Sequence, residues 1–399
     1  MVSRDARVNL LIGTGHFLSH FYQLCLPPLF LVWQRSFEVS FAELGAASAL
    51  MSGVTALLQT PVGFLVDRHG ARRFLIGGTL LMALSISVMG LATAFWQILV
   101  LAVLSGVGNS VIHPADYAIL SGSVDKDRMG RSFALHTFSG NLGFAAAPPI
   151  MAALILALGW RGGLLLVGAL GVPMVFAILL QSRILNDQAA PHPAETGPAL
   201  SGRQLLLTRG MLLFLLFFML SSMAGAGLQA WLITVLHQVK GMDLAVASTA
   251  LTAYLAGYSG GTLAGGVAAD RLKRHLALFV ISFTTLSSVL LVVVDVLPIA
   301  DLVAIALLLG AGLAMGASRT PRDVMVKDAS PPGQIGKVFG FVSSGLPLGS
   351  ALTPVPFGYL IDHHRPELVL VLAACLLMGS LLCMGSARAS SSPIAVPAE

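Results

Sequence analysis

The chain has 399 residues, of which 56% are hydrophobic and only 10% are charged. Ordinary globular domains carry roughly 25% charged residues, and the mean hydropathy of this chain is +0.86. This composition excludes a soluble multidomain protein and indicates an integral membrane protein. The net charge of +5 then raises the question of which side of the membrane the basic residues occupy. No nucleic-acid partner is needed to explain it.

Long apolar runs predict twelve membrane-spanning helices. About 20 apolar residues cross a bilayer as a helix, and these runs are too long for the strands of a membrane barrel, which have about ten alternating residues. In chain order, the predicted helices comprise residues 8–33, 43–66, 74–95, 97–120, 131–158, 162–182, 210–236, 244–269, 276–298, 302–324, 336–361 and 367–386.

The longest polar break separates the first six predicted helices from the next six. It predicts an N-terminal six-helix bundle at 1–182, a cytoplasmic linker at 183–209 and a C-terminal six-helix bundle at 210–386. The polar residues 387–399 predict a disordered tail.

Basic residues are distributed unevenly between the two sets of loops. Loops on the side of the N-terminus hold most of the lysines and arginines, whereas the loops on the other side hold only Arg35, Arg161, Lys240 and Arg365. Because short loops rich in Lys and Arg stay in the cytoplasm, we expect both termini there, in a cytoplasmic membrane of the bacterial inner-membrane type.

The two predicted halves share short motifs in the same order. Segments 63–68 and 266–271 both begin with Gly, end with Asp-Arg, and close the second and eighth predicted helices. Gly-x-Gly pairs recur at 106–108 and 310–312, in the fourth and tenth helices. Parallel repeats of this kind form two bundles around a cavity near the middle of the membrane.

Residues 63–73 read Gly-Phe-Leu-Val-Asp-Arg-His-Gly-Ala-Arg-Arg. This segment resembles the inner-loop signature Gly-x-x-x-Asp-Arg-x-Gly-Arg-Arg/Lys of the major facilitator superfamily. Ala71 replaces one arginine of the signature, whereas Arg72 and Arg73 keep its charge. The resemblance implies an all-α integral membrane fold with twelve transmembrane helices in two pseudo-symmetric six-helix bundles. It also implies that the first, fourth, seventh and tenth helices line the central cavity.

The signature residues are predicted to control conformation rather than to bind substrate. In the superfamily fold, the Asp-Arg pair locks the second helix against the eleventh in the outward-open state. The physical basis is the attraction of an Asp to a positive helix N-terminus together with Arg–Asp pairing. The predicted conformational residues are Gly63, Asp67, Arg68, Gly70, Arg72, Gly266, Asp270 and Arg271.

Within the superfamily, three segments resemble fosmidomycin-resistance-type exporters of drugs or organic solutes. They are Gly106–Pro114 in the fourth predicted helix, Gly140–Pro148 in the fifth and His16–Pro27 in the first. In that pattern an Asp stands at the position of His20 and a Glu at the position of Ala115. These departures affect the acidic residues that would couple protons to transport.

Polar side chains inside the predicted helices are the candidates for binding substrate and protons, because such groups are costly in a membrane and usually face a cavity. In the first and fourth helices they recur at i, i+4 and i+7, which places them on one stripe. The candidates are His16, His20, Gln23, Asn109, His113, Asp116, His136, Asn141, Gln229, Trp231 and Arg319.

Several of these candidates have a structural alternative. An intramembrane histidine could simply bond a neighbouring helix, and His113 could satisfy a carbonyl group freed by Pro114. Asp116 and Arg319 could face the inner loops, and His136 could extend to the membrane interface.

The sequence contains no hydrolase elbow, P-loop, dinucleotide fingerprint or zinc-ligand spacing, so it predicts no enzyme, no cofactor and no resident metal. We expect a monomeric secondary transporter in the lipid bilayer. Protons are the expected coupling ion, because histidine titrates near physiological pH. A cavity rich in histidine with one Asp favours a small organic solute that is anionic or amphipathic. Efflux by antiport is favoured, and uptake of an organic anion by symport is the alternative.

Two other functional classes stay open at this point. A carrier of divalent metal ions could use three imidazoles and a carboxylate, from His16, His20, His113 and Asp116. The other class is a non-transporting sensor built on a transporter fold.

Overall fold

The computed structural model describes residues 3–125, 128–186, 207–272, 275–329, 338 and 341–390. The described chain is built from α-helices with two short 3₁₀ turns, Pro27–Leu29 and Ser182–Ile184, and these residues form no strand. In chain order the helices are α1 (Arg4–Leu24), α2 (Phe30–Phe37), α3 (Phe41–His69), α4 (Ala71–Met89), α5 (Phe95–Asn109), α6 (Ile112–Ser123), α7 (Met129–Ala169), α8 (Gly171–Leu180), α9 (Arg209–Lys240), α10 (Leu244–Arg271), α11 (Leu276–Val296), α12 (Asp301–Asp328), α13 (Gly345–Leu352), α14 (Pro354–Asp362) and α15 (Leu368–Ser390).

Apolar side chains cover the outside of the bundle. Leu156, Leu180 and Leu302 are 80%, 83% and 77% exposed, which suits a surface in contact with lipid. Seven helical stretches of the described chain are each long and apolar enough to cross a membrane. The apolar composition of the chain is therefore matched by individual helices that are long and apolar enough to span a membrane.

Three helices that were predicted to be continuous, the first, fourth and eleventh, are broken. A 3₁₀ turn at Pro27–Leu29 separates α1 from α2. Pro114 lies in the first turn of α6, and Pro354 is the first residue of α14. Proline lacks the N–H group that continues a helix, but it fits the first turn of a new one. The predicted continuity of these helices is therefore wrong.

The predicted boundary between the fifth and sixth helices is a kink inside α7. Gly159 has φ 68° and ψ 168°, and helical structure continues on both sides of it. Glycine adopts a positive φ without steric cost, so the chain turns at this residue. The third predicted helix, 74–95, is displaced: α4 begins at Ala71 and ends at Met89.

The start of α1 and the end of α8 lie at one face of the bundle, which we call the terminal face. A guanidinium nitrogen of Arg4 donates to the carbonyl oxygen of Ile184 at 3.1 Å. Arg72, at the start of α4, donates to the carbonyl oxygen of Ser182 at 2.7 Å. Basic side chains therefore collect at the terminal face.

At the opposite face, the chain before residue 186 is hydrogen-bonded to the chain after residue 207. The Asp362 carboxylate accepts the backbone N–H groups of Phe41 at 2.6 Å and of Ala42 at 2.8 Å. Both donors belong to the first turn of α3. In addition, the Thr252 hydroxyl donates to the carbonyl oxygen of Ala145 at 3.1 Å. Among described residues, these three bonds join the two parts, and the carboxylate–helix pair closes the opposite face.

Substituting Asp362 with asparagine is expected to weaken this closure. A carboxylate that accepts hydrogen bonds at a helix N-terminus contributes about 1–2 kcal/mol, and asparagine has no charge and a single acceptor oxygen. A cysteine placed at Ser48, which lines the cavity described below, should then react faster with an impermeant maleimide added at the opposite face. Glu367→Gln is the matched control, because among the described residues this carboxylate pairs only with the exposed Arg365, at 3.6 Å. A wild-type labelling rate in Asp362→Asn would refute this role.

Helices α10 and α12 pack through glycines. A Cβ atom on Gly257, Gly261 or Gly265 would overlap a backbone carbonyl oxygen of α12. Gly312 and Gly316 meet the backbone of α10 in the same way. Small residues spaced by four let membrane helices approach closely, which is what the glycine-rich sequence of α10 predicts.

The adjacent glycines 260 and 261 provide a test of this packing. Gly261→Ala is expected to cost about 1–3 kcal/mol by overpacking, because the new methyl group overlaps the carbonyl oxygen of Leu313. At Gly260 a Cβ atom meets nothing within 4 Å, so Gly260→Ala should keep or raise stability, since alanine favours helix over glycine by about 1 kcal/mol. Thermal denaturation in detergent compares the two variants. Equal midpoints would contradict the glycine-mediated packing.

Candidate functional site: a histidine- and arginine-lined cavity

Two adjoining cavities of about 290 and 350 Å³ lie at the centre of the bundle. Helices α1, α6 and α7 form one wall, and α9, α10, α12 and α13 form the facing wall, with α3 added in the larger cavity. The residues that line both cavities are His20, His113, Phe144, Ser222, Ala226, Gln229, Tyr258, Arg319, Arg322, Leu346 and Ser350.

Four histidines form one cluster on the first wall. The rings of His16 and His20, one turn apart on α1, have centroids 4.3 Å apart. The His16 ring stacks on the His136 ring at 3.6 Å and lies 5.0 Å from the His113 ring. His16 Nδ1–H donates to the backbone carbonyl oxygen of His136 at 2.7 Å. The structure thus brings together the stripes that the sequence places on the first and fourth helices.

Asp116 extends this cluster into the interior of the first wall. Its Oδ2 atom lies 3.0 Å from His136 Nε2, and the two side chains are 1% and 2% exposed. Asp116 Oδ1 and His136 Nδ1 are buried without a hydrogen-bond partner among the described residues. Asp116 therefore faces no loop. It is connected to the cavity by its bond to His136, which is part of the lining. A buried carboxylate–imidazole pair of this kind can hold a proton on either partner.

Glycines of α7 make room for the histidine cluster. A Cβ atom on Gly140 would lie 2.5 Å from His16 Cε1 and 2.9 Å from His20 Cε1. A Cβ atom on Gly143 would overlap the backbone of Phe17. Larger residues at either position would push α7 away from α1, so the Gly-Asn-Leu-Gly segment of the fifth predicted helix sets the spacing of the cluster.

Two arginines of α12 lie on the facing wall. The Arg322 guanidinium bonds Asp323 Oδ1 at 2.9 Å and stacks at 3.9 Å on the ring of Phe218. The Arg319 guanidinium lies 5.9 Å from the centre of the Tyr258 ring. Within the described part of the chain, Arg319 forms no ion pair with a carboxylate. Arg319 is therefore a cavity-lining cation without a direct ion pair among the described residues; Asp323, which is bonded to Arg322, attracts it only from a longer distance.

The other predicted site residues occupy different positions. Gln23 Nε2 donates to Asn109 Oδ1 at 3.4 Å, and both residues line the larger cavity. Asn141 lines the smaller cavity, and Gln229 lines both. Trp231 lies outside both linings, because its fully buried indole donates to the carbonyl oxygen of the first residue of α14 at 2.8 Å.

Some lining residues were not predicted. Tyr254 and Tyr258 face the smaller cavity from α10. The chain has only five tyrosines, so two of them one turn apart in an apolar helix were a usable signal. Ser222 and Ser350, whose hydroxyl oxygens lie 2.9 Å apart, carried no such signal, because serine is common where membrane helices pack.

Three of the histidines also have the proximity that a metal ion needs. Ligand nitrogens of His16, His20 and His113 lie within 4.8 Å of one another. Asp116, which the sequence suggested as the fourth ligand, bonds His136 instead. The set available to a cation is therefore three imidazoles without a carboxylate.

The predicted conformational residues lie at the terminal face. Arg68 and Arg271 are exposed at the ends of α3 and α10. The side chains of Asp67 and Asp270 lie outside the described part of the structure, so the latch through these carboxylates stays a prediction.

The other predicted conformational residues lie in the described part of the structure. Gly70 joins α3 to α4 with φ 89°, a value that favours glycine. Added Cβ atoms on Gly63 and Gly266 would meet nothing within 4 Å. Arg72 is the residue that bonds the Ser182 carbonyl oxygen at the terminal face.

Comparison with known proteins supports this architecture. Residues 12–248 and 233–395 match the family model of the Major Facilitator Superfamily. A crystal structure of a bacterial homologue of the human lysosomal transporter Spinster, inward-facing and occupied, aligns with a TM-score of 0.79 at 13% identity. The alignment covers 98% of this chain and 97% of that chain. The predicted all-α membrane fold of the superfamily is confirmed.

Individual proteins that are similar in sequence show which members of the superfamily this chain resembles. The fosmidomycin resistance protein of Escherichia coli (strain K12) is 26% identical over 93% of this chain and 90% of that protein. The Probable L-galactonate transporter of the same organism is 28% identical, but the match covers 36% of this chain and only 31% of that protein. The resemblance to fosmidomycin-resistance-type proteins, predicted from three helix motifs, is confirmed.

Proposed function

We propose that this chain, which belongs to the major facilitator superfamily, couples the movement of a small organic anion to protons. Membership of the superfamily supports transport of a small molecule across the membrane over the alternative of a non-transporting sensor. The observation that carries the choice of an anion is Arg319, a cavity-lining cation that forms no ion pair with a described carboxylate.

A guanidinium group in a membrane-embedded cavity needs a counter-charge. An uncompensated charge in a low-dielectric interior is strongly unfavourable, and charged groups inside transporters mark substrate or ion pathways. Arg322, three residues away on α12, is already paired with Asp323. An anionic group of the substrate would complete the pairing of Arg319, through the two-pronged geometry that arginine offers to carboxylate, phosphonate or sulfonate groups.

The opposite wall suits the same kind of substrate. Imidazole N–H groups of His20 and His113, which line both cavities, can donate hydrogen bonds to anionic oxygens and become cationic when protonated. One relative supports an anion by its name, because galactonate is a carboxylate. That relative matches only part of this chain, so its substrate is support for the class and not for the identity.

The histidine cluster is also the proposed proton site. A proton that enters from the cavity can reach His136, stacked on His16 at 3.6 Å, and then the buried Asp116. Binding of an anion next to these imidazoles changes their affinity for protons, and the effect is reciprocal. If the carrier binds anion and protons together, the result is symport, whereas if it exchanges one for the other, the result is antiport. The His20 position, where similar exporters have an Asp, would contribute to the same exchange.

We favour efflux by proton antiport, because the relative that covers most of this chain is a resistance protein. Uptake by proton symport is the alternative, and the sign of the pH gradient that drives accumulation distinguishes the two directions.

Transport of divalent metal ions is a second candidate, since ligand nitrogens of His16, His20 and His113 lie within 4.8 Å of one another. Arg319 in the same cavity repels a cation, and the cluster lacks the carboxylate that would neutralise one. We therefore expect no saturable Zn²⁺ binding by calorimetry at micromolar concentrations. Stoichiometric binding that His113→Gln abolishes would reverse this preference.

A thermal-shift screen on detergent-purified protein tests the substrate class. A ligand at a hundred times its dissociation constant stabilises the folded state by about 2.7 kcal/mol. Carboxylates, phosphonates and sulfonates of matched size are compared with organic cations. We expect a raised melting temperature with at least one class of anion and with no cation. Stabilisation by cations alone would contradict an anion site.

The proposed orientation places both termini in the cytoplasm of a bacterial-type inner membrane, with bundles 1–182 and 210–386 joined by the linker 183–209. The basic side chains at the terminal face support it, because cytoplasmic loops are positively charged. Alkaline phosphatase fused after residue 187 or at the C-terminus should be inactive, and green fluorescent protein at the same points should be fluorescent. Phosphatase activity at the C-terminus would contradict a twelve-span arrangement.

A further inference from the structure

We propose that an anionic phospholipid binds in a groove on the outside of the bundle, between α3 and α4. The groove has a volume of about 540 Å³ and is separate from the central cavities. This site does not depend on the proposed transport function, because none of its residues lines the substrate cavity.

The groove is apolar along its length and floored by glycine. α3 contributes Val62 and Leu65, and α4 contributes Leu81. Gly77 is exposed, and a Cβ atom there would meet nothing within 4 Å, whereas a Cβ atom on Gly78 would lie 2.7 Å from the carbonyl oxygen of α5 beneath it. The absence of side chains at these glycines makes the depression that an acyl chain can fill.

Basic side chains lie at one end of the groove only. Arg73, Gly77 and Leu81 follow each other at intervals of four along one stripe of α4. His69, the last residue of α3, borders the same end as Arg73. Both side chains are exposed, and Arg73 makes no hydrogen bond or ion pair with a described residue. This end is at the terminal face, beside the contact of Arg72 with Ser182.

The dimensions match one leaflet of a bilayer. From Arg73 to Leu81, eight residues of helix rise about 12 Å. Half the thickness of the hydrocarbon core is about 15 Å. A lipid whose phosphate contacts Arg73 and His69 would therefore lay an acyl chain over Gly77 as far as Leu81. Basic pockets between membrane helices bind anionic headgroups, so charge complementarity selects an anionic over a zwitterionic phospholipid.

Native mass spectrometry of the detergent-purified full chain tests the site. The protein is titrated with dioleoylphosphatidylglycerol, with dioleoylphosphatidylcholine and, in a separate arm, with inorganic phosphate. We expect phosphatidylglycerol to be retained at a concentration about fivefold lower than phosphatidylcholine, the effect of one basic side chain near an anionic headgroup. Phosphate alone should not be retained.

Two variants locate the bound lipid. Arg73→Gln should reduce the retention of phosphatidylglycerol to that of phosphatidylcholine, whereas Arg161→Gln, which removes an exposed arginine at a Trp160 ring, should not. Gly77→Leu fills the groove and should reduce the retention of both lipids, whereas Gly260→Leu at an equally open helix surface should not. Unchanged thermal midpoints verify folding. The proposal is overturned if Arg73→Gln and Gly77→Leu retain lipid like wild type, if both headgroups bind equally, or if a second copy of the chain covers the groove.

Discussion

Replacing Arg319 with glutamine is expected to lower the affinity for the anionic substrate by about a hundredfold or more. Removing one partner of a buried charge pair costs about 3–5 kcal/mol. The neighbouring Arg322 does not replace Arg319, since it is bonded to Asp323 at 2.9 Å. The measurement is the thermal shift, or the dissociation constant by calorimetry, of an anion identified in the screen. Transport of that anion should fall in parallel.

One further variant separates charge from geometry at this position, and a second serves as a control. Arg319→Lys keeps the charge but loses the planar fork, so it should bind the anion with intermediate affinity. Arg161→Gln removes an arginine that stacks on Trp160, at 4.1 Å, outside the cavity and should bind like wild type. If Arg319→Gln bound the anion as tightly as wild type, Arg319 would be a structural residue and the anion site would lie elsewhere.

Replacing His113 or His20 with glutamine is expected to abolish proton-driven accumulation while substrate exchange stays measurable. Glutamine keeps a hydrogen-bonding side chain of similar reach, but it does not titrate. The two rings lie 5.8 Å apart on different helices, and both line the cavity. Loss of the titratable group should uncouple substrate movement from the gradient without removing Arg319, so counterflow without a gradient should continue.

The control for these variants is a histidine outside the cavity. His363→Gln removes an exposed imidazole at the opposite face, where its Nδ1 bonds the Tyr359 carbonyl oxygen at 2.9 Å, and it should accumulate substrate like wild type. The assay compares accumulation between about pH 5.5 and 8, the range in which histidine titrates. Wild-type accumulation by both His20→Gln and His113→Gln across this range would make these histidines structural, and the coupling site would lie elsewhere.

Periodicity, together with the resemblance to the superfamily, placed His16, His20 and His113 around one predicted cavity. Polar residues at i, i+4 and i+7 share a helix face, and the resemblance to the superfamily names the helices that surround the cavity. Arg319 could be identified as a candidate because a charge inside an apolar helix needs a reason. That Arg319 forms no ion pair with a described carboxylate could not be predicted, because this depends on where each carboxylate lies in three dimensions.

The sequence could not predict where helices are interrupted or how they are rotated relative to one another. Prolines at 27 and 354 break helices that hydropathy alone shows as continuous, because hydropathy does not register a missing N–H group. The pairing of Asp116 with His136 joins two helices and depends on their relative rotation. Trp231 illustrates the same limit: its polar N–H suggested the cavity, but the ring packs on Phe30 with centroids 4.9 Å apart, and the N–H group donates to the carbonyl oxygen of Pro354 at 2.8 Å.

The most direct test of the central claim is concentrative transport by the purified protein in proteoliposomes. The substrate is the anion identified by thermal shift, the membrane potential is clamped, and a pH gradient is the only driving force. The account predicts accumulation above equilibrium that collapses when a protonophore is added, and that is lost in His113→Gln while exchange continues. Flux that only reaches equilibrium, at the same rate with and without the gradient, would contradict proton coupling through this cavity.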